Sequence, residues 1–319
     1  MPALMVGERT ADGLTALTLE SAAASGLVAT FVPEAGMIGC SLRAGGEELL
    51  GQRGGLAKYV GSGSTMGIPF LHPWANRLGA SRFELAGREV DLDRPGLPLK
   101  RDSAGLPMHG LLTASGGWVV ERHLETEDGG VLIAGFDFAA HVLLMEAVPF
   151  AHRVELRVEL AGPELTIATT VRAGQDGRVP ISFGFHPYLR LPGLPRAEWV
   201  MEAPVRERLL QDERGLPSGE REAVEIAPAP LADRHYDDAF TAPPGGAPFA
   251  LEGGGHRLEQ RLGEGYRFSQ IYAPADTDAV AFEPMTAPTN ALVSGEDLPM
   301  LEPGETFTAS FSIKVAATP

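Results

Sequence analysis

Along much of the chain, apolar and polar residues alternate one by one. Between His152 and Leu160, the residues Val154, Leu156, Val158 and Leu160 take one side, and Arg153, Glu155, Arg157 and Glu159 take the other. Leu165, Ile167, Thr169 and Val171 continue the pattern, and Phe307, Ala309, Phe311, Ile313 and Val315 repeat it against Thr308, Ser310, Ser312 and Lys314. A period of two sends successive side chains to opposite faces of a strand, so each segment buries one face and leaves the other open. Shorter runs at 15–19, 27–32, 118–122, 131–138 and 279–282 read as further strands. No stretch keeps a 3.6-residue apolar stripe for three turns, so few helices are expected. Residues 210–235, dense in charge and proline, read as a long surface excursion, because strand pattern resumes on both sides. The pattern predicts an all-β chain, one large antiparallel domain over residues 1–319.

Composition narrows the partners. The 39 glycines and 26 prolines recur between the apolar runs, as turns between many strands require. A hydrophobic share of 44% supplies a core, which excludes disorder for the bulk of the chain. The net charge of −16 repels phosphate backbones and anionic membranes, so nucleic acid and lipid are poor partners and a small uncharged ligand is favoured. Cys40 is the single cysteine, which rules out an intrachain disulfide. Met1–Thr10 has neither the basic start nor the apolar run of a signal, and no apolar stretch approaches the ~20 residues of a membrane helix. A cytoplasmic protein is expected.

Four segments set polar groups among aromatic and proline residues. In 67–79, Pro69 and Pro73 fix an extended path toward Arg77, which reads equally as a surface arginine covering a strand. His109 precedes Gly110, and such a residue is more often a hydrogen-bonded loop histidine than a chemical one. His186 lies between Phe185 and Pro187-Tyr188; it is either packed into an aromatic core or held in one orientation for proton exchange. Glu283 ends the apolar run 279–282, where a buried carboxylate is costly without a partner or a task. No His-Glu-x-x-His or Cys/His cluster suggests a metal, and Gly61–Thr65 and Gly253–Gly255 lack the ending of a phosphate loop. No metal or cofactor is expected.

Taken together and in order, these segments resemble the aldose 1-epimerase (galactose mutarotase) family. The resemblance rests on Pro-Trp-Ala-Asn-Arg at 73–77, His109-Gly-Leu-Leu, Gly184-Phe-His-Pro-Tyr188, Tyr236-Asp-Asp-Ala-Phe240, Glu283 through Pro288-Thr-Asn-Ala-Leu292, and Leu301-Glu-Pro-Gly304. It runs from about residue 67 to the C-terminus. It implies a large antiparallel β-sandwich of the galactose mutarotase-like supersandwich type, with a sugar in a cleft on one concave sheet. It further implies His186 as the acid on the ring oxygen, Glu283 as the base on the C1 hydroxyl, and His109 as the assisting histidine. Arg77 and Asn76 are then expected to bind the sugar, with Asp237, or Asp238 beside it, holding neighbouring hydroxyls. Two departures are Leu189 in place of the usual phenylalanine and the lack of the usual asparagine within 171–177.

Such a site would open a hemiacetal by moving one proton off O1 as another reaches the ring oxygen. The expectation is an ionised Glu283 and a protonated His186 on opposite sides of the sugar. Two other functions fit the same residues. A hexose-6-phosphate mutarotase would need extra cations, for which Arg43, Arg53, Lys58 and Arg101 are candidates. A non-catalytic carbohydrate-binding module would have no need of the acid–base pair.

Overall fold

The three alternating segments become neighbours. A computed structural model describes residues 5–23 and 26–317. In it His152–Ala161, Glu164–Ala173 and Thr306–Ala317 lie side by side and antiparallel. Val158, Ile167 and Phe311 form one buried row across them, while Arg153 and Arg157 stay exposed. They are the middle of a nine-stranded sheet. Gly129–Asp137 and Val119–Glu125 extend it on one side; His256–Leu262, Phe249–Gly253, Val200–Ala203 and Ile226–Pro230 extend it on the other.

A second large sheet packs on the inner face of the first, which makes the chain a β-sandwich. From one edge it runs Pro217–Ala223, Glu207–Gln211, Tyr236–Thr241, Phe268–Ala273, Val280–Met285, Gly184–Phe185 and Phe70–Leu71, with Tyr188–Leu189 also pairing to Val280–Met285. Between the layers Phe249 stacks on Phe282 at 4.6 Å and Phe185 meets Phe311 at 5.0 Å. Burying each such ring contributes about 1.5–3 kcal/mol. Gln260, fully buried in the same layer, donates to the Phe282 carbonyl at 2.5 Å. A five-stranded N-terminal sheet, with Leu14–Glu20 and Val28–Val32 near its middle, is joined by a bridge from Gly39 to Ile68 to the segment that leads into Phe70–Leu71 of the second large sheet.

Two sequence expectations change. Residues 210–235 are not an irregular excursion, because they carry Pro217–Ala223 and Ile226–Pro230, one strand at the edge of each large sheet. Both faces of Pro217–Ala223 are largely in solvent, so no apolar alternation marks it in the sequence. Glu283 does not end its strand; Val280–Met285 continues two residues beyond it, and all six residues are buried. Helices are short, the longest being Gly55–Ser62, and among the described residues none is long and apolar enough to cross a membrane.

Candidate active site

The outer face of the second sheet is the floor of a cavity, and strand register decides what stands on it. Gly184 pairs with Met285 and Tyr188 with Ala281, which sets His186 directly across from Glu283. Glu283 pairs in turn with Gln270, and Gln270 with Ala239. One rung along, Tyr188, Ala281, Tyr272 and Asp237 make a parallel row. Because side chains alternate, Asp238 points the other way and pairs with Arg208 at 3.3 Å. Asp237 therefore lines the cavity and Asp238 does not.

Two loops form the wall. Residues 72–78 and 107–112 are knitted by His109 N–H to the Asn76 carbonyl (2.8 Å), Leu78 N–H to Pro107 and Leu111 N–H to His72 (2.7 Å). Asn76 (φ 56°) and His109 (φ 65°) both adopt the left-handed region, a strained choice for residues with a side chain, and both face the cavity. Gly110 makes the approach possible: a Cβ there would lie 2.2 Å from the His72 carbonyl oxygen. The Asn290 amide N–H donates to the Arg77 carbonyl, and its side chain accepts from Gly79 N–H at 2.7 Å, so the Pro288-Thr-Asn290 phrase acts as a brace. Arg77 itself is fixed by Asp102 at 3.2 Å and by the Gly215 carbonyl at 3.3 Å. The hairpin loop that carries Gly215 is thus part of the site's support.

All six residues expected from the sequence, His186, Glu283, His109, Arg77, Asn76 and Asp237, line this one cavity of about 150 Å³. His186 Nε2 lies 3.2 Å from Glu283 Oε1, with both side chains at most 4% exposed. They stand side by side, Glu283 on its strand and His186 in the link between Gly184–Phe185 and Tyr188–Leu189, rather than on opposite sides of the space between them. The His109 ring meets His186 edge-on at 5.7 Å, and Tyr188 stacks on the other side of His186 at 4.1 Å. Gln270 donates to Asp237 at 2.6 Å.

Burial dominates the electrostatics. It pushes His186 well below the ordinary histidine range, helped by the neighbouring His109 ring and the charge of Arg53. It pushes Glu283 well above the ordinary carboxylate range, helped by Asp237 and opposed by Arg77. His109 is pushed down to about 3, again chiefly by burial. Desolvation therefore favours a neutral pair, imidazole and carboxylic acid, over the expected ion pair. Asn76 Oδ1, His109 Nδ1, His186 Nδ1 and Glu283 Oε2 have no partner among the described residues, a cost that a ligand rich in hydroxyls would relieve.

Six further residues line the cavity: Arg53, Thr65, Lys100, Met108, Tyr188 and Tyr272. Of the four cations considered for a phosphate, only Arg53 is here. Arg43 pairs with Glu48, Arg101 pairs with Asp93, and Lys58 is exposed on the helix Gly55–Ser62. Lys100 is the one missed, and period-two alternation within Lys100–Arg101 was the available signal, since the neighbours must face opposite ways.

Known proteins agree with this architecture. The chain is 25% identical to the uncharacterised protein YihR of Escherichia coli K12 over 255 residues, 76% of this chain and 77% of that one. A galactose mutarotase-like protein from Clostridium acetobutylicum superposes with a TM-score of 0.86 at 18% identity, covering 99% of each chain. A galactose 1-epimerase from Lactobacillus acidophilus NCFM gives 0.76 at 16% identity, covering 99% of this chain and 100% of the other. A putative aldose 1-epimerase of Escherichia coli K12 gives 0.73 at 20%, covering 95% and 100%. The aldose 1-epimerase family profile matches residues 39–314, beginning well before the phrases that carry the resemblance, and the chain belongs to that family.

Proposed function

We propose that this cleft interconverts the α and β anomers of an aldose by opening and reclosing its hemiacetal ring. The observation that carries the reading is the contact of 3.2 Å between His186 and Glu283 inside the cavity. O1 and the ring oxygen are bonded to the same carbon, so an acid and a base that stand side by side can reach both at once. Glu283 takes the proton from O1 while His186 delivers one to the ring oxygen. Neither charge then builds up alone. After rotation about the C1–C2 bond the two residues exchange roles, and the ring closes on the other face of C1.

The proton inventory fits either form of the pair. A carboxylic acid beside a neutral imidazole holds one proton, and so does a carboxylate beside an imidazolium. Burial favours the first; hydrogen bonds to the carboxylate from sugar hydroxyls, together with the charge of Arg77, favour the second. We read the second as the working form, reached by proton transfer across the contact. His109 assists at the ring oxygen, and Arg77, Asn76 and Asp237 hold hydroxyls. A volume of about 150 Å³ is below the roughly 300–1,000 Å³ of sites for drug-sized ligands, which suits one monosaccharide.

The test is polarimetry of freshly dissolved α-glucose, α-galactose and other aldoses. The expected result is a rate that rises in proportion to protein above the spontaneous one. Calorimetric binding of a sugar with no acceleration would make the chain a carbohydrate-binding module instead.

A further inference from the structure

Arg77 is held by two loops that share both a sequence and a shape. Asp102-Ser-Ala-Gly-Leu-Pro107 and Asp212-Glu-Arg-Gly-Leu-Pro217 lie far apart along the chain. Each closes a hairpin in the same register, Arg101 pairing with Pro107 and Gln211 with Pro217. In each, the aspartate N–H donates to the leucine carbonyl (3.0 and 2.8 Å), and the glycine N–H donates to the aspartate carbonyl (3.0 and 2.9 Å). In each, the aspartate Oδ1 accepts two further backbone N–H groups. For Asp102 these are Ala104 and Leu106, both at 2.9 Å; for Asp212 they are Arg214 at 2.8 Å and Leu216 at 3.0 Å. The phrase alone does not make the turn. Its third occurrence, Asp93-Arg-Pro-Gly-Leu-Pro98, has Pro95 where an N–H is needed, and Asp93 pairs with Arg82 and Arg101 instead.

The twin turns grip the guanidinium at two of its nitrogens by different means. Asp102 sets its second carboxylate oxygen, Oδ2, against Arg77 Nε at 3.2 Å, whereas the other turn offers the Gly215 carbonyl to Nη1 at 3.3 Å. Among the described residues Nη2 donates to nothing, which leaves it for a ligand in the cavity. Asp212 itself does not touch Arg77; its Oδ2 faces the exposed Arg214. Gly215 has φ 72°, in the left-handed region, and a Cβ there would lie 2.2 Å from Arg77 Nη1. The turn must carry glycine to come this close. Fixing an arginine side chain costs rotamer entropy. Here the protein's own bonds fix it before a sugar arrives, which lowers the cost of binding.

We infer that the twin turns are a clasp that presets Arg77 for the sugar, and that Asp102 and Asp212 are positioning residues for binding. Asp102 acts by its charge; Asp212 acts only by the shape it gives its turn. The inference rests on the anomer-exchange reading for what Arg77 binds, and on the bonds alone for the clasp.

Asparagine separates the two roles, because its side-chain oxygen can close the turn but carries no charge. The experiment compares Asp102→Asn, Asp212→Asn and Asp212→Ala with the parent. It measures KM and kcat by polarimetry on the aldose that the parent turns over fastest, and solvent exchange of the Arg77 Nε–H by NMR. Asp102→Asn should raise KM on the order of tenfold, since an amide N–H then faces the Nε–H. Asp212→Ala should raise KM about threefold to tenfold, more than it changes kcat, and Asp212→Asn should restore the parent value. Exchange at Nε–H should quicken in the two variants that raise KM and stay slow in Asp212→Asn. The inference is overturned if Asp212→Ala keeps the parent KM and exchange rate, or if Asp212→Asn is as impaired as Asp212→Ala. It is equally overturned if Asp102→Asn behaves like the parent. Should Asp102→Asn fail to fold, the two variants of the exposed Asp212 still decide. Should no aldose be turned over, the exchange pattern decides: its presence upholds the clasp while the anomer reading falls, and its absence overturns the clasp.

Discussion

Two buried pairs built on histidine have opposite fates in this molecule. His186 faces a carboxyl group across 3.2 Å at the floor of a cavity. His72 and His152 face each other, Nε2 to Nε2, at 2.6 Å, enclosed by Phe70 and Phe138 stacked on their rings. Two facing nitrogens at that distance need one proton between them. His152 Nδ1 sits 2.6 Å from the Phe150 carbonyl and must donate to it, so its Nε2 is the acceptor and His72 Nε2–H the donor. Burial drives His152 down to about 4 and His72 well below the ordinary range. The inner pair is thus a fixed neutral hydrogen bond. It anchors the segment whose His72 carbonyl receives Leu111 and Leu112 and which continues to Asn76 and Arg77. Burial and a lowered pKa are common to both pairs. What separates them is access to a cavity and a partner that can carry the opposite charge.

Glu283→Gln should separate the pairs most strongly. It leaves His186 a neutral partner unable to accept a proton, and kcat should fall about 10²–10⁴-fold. Stability should change by less than about 1 kcal/mol, since the buried carboxyl already favours its uncharged form. A rate within tenfold of the parent in the polarimetric assay would break the distinction drawn here.

The inner pair should show the reverse balance. His152→Phe leaves the His72 donor without an acceptor and should cost roughly 1–3 kcal/mol in denaturant unfolding, while kcat falls less than about tenfold. The pair also sets a pH dependence. A histidine that titrates near 6.5 when unfolded and near 4 when folded binds more protons in the unfolded chain throughout that interval. Its contribution is intact above pH 6.5 and lost as pH falls toward 4. Glu283, raised on folding, acts in the opposite sense, its penalty appearing as pH rises above the ordinary carboxylate value. With more buried histidines than buried carboxyls, Tm should drop as the pH falls below 6.5, and less steeply in His152→Phe. An unchanged slope would mean that the inner pair is not held neutral.

The smallest effect contrasts neighbours. Asp237→Asn should raise KM by up to about tenfold through loss of a charge-assisted contact. Asp238→Asn, which removes a pair to Arg208 on the face away from the cavity, should leave KM alone and change stability by less than about 1 kcal/mol. Equal effects on KM would undo the assignment of faces.

The fold was legible wherever one face of a strand is wet. His152–Ala161 alternates because Arg153 and Arg157 meet solvent while Val154 and Leu156 meet the second sheet. Val280–Met285 has no wet face, so its sequence is a continuous apolar run whose single ionisable residue marks the cavity side. Pro217–Ala223 is the converse, nearly all exposed and unreadable by pattern. For the site, the short phrases named residues but not their support. Nothing near Gly215 or Asp102 in the sequence signals that they hold Arg77 in place, because both lie far from it along the chain. Arg53 is likewise brought in by tertiary structure alone, through the Tyr188 hydroxyl.

The direct opposition of His186 and Glu283 across neighbouring strands has a consequence for how this chain can vary. A single inserted or deleted residue between Gly184 and Tyr188 would turn one member of the pair toward the packed layer between the sheets. The hydrogen-bond ladder would survive on either side, and the product would be a well-folded protein with a mute cleft. Length changes in this short stretch should therefore be far rarer among active relatives than in the turns at the sandwich ends. Counting them offers a way to tell working copies from silent ones without an assay.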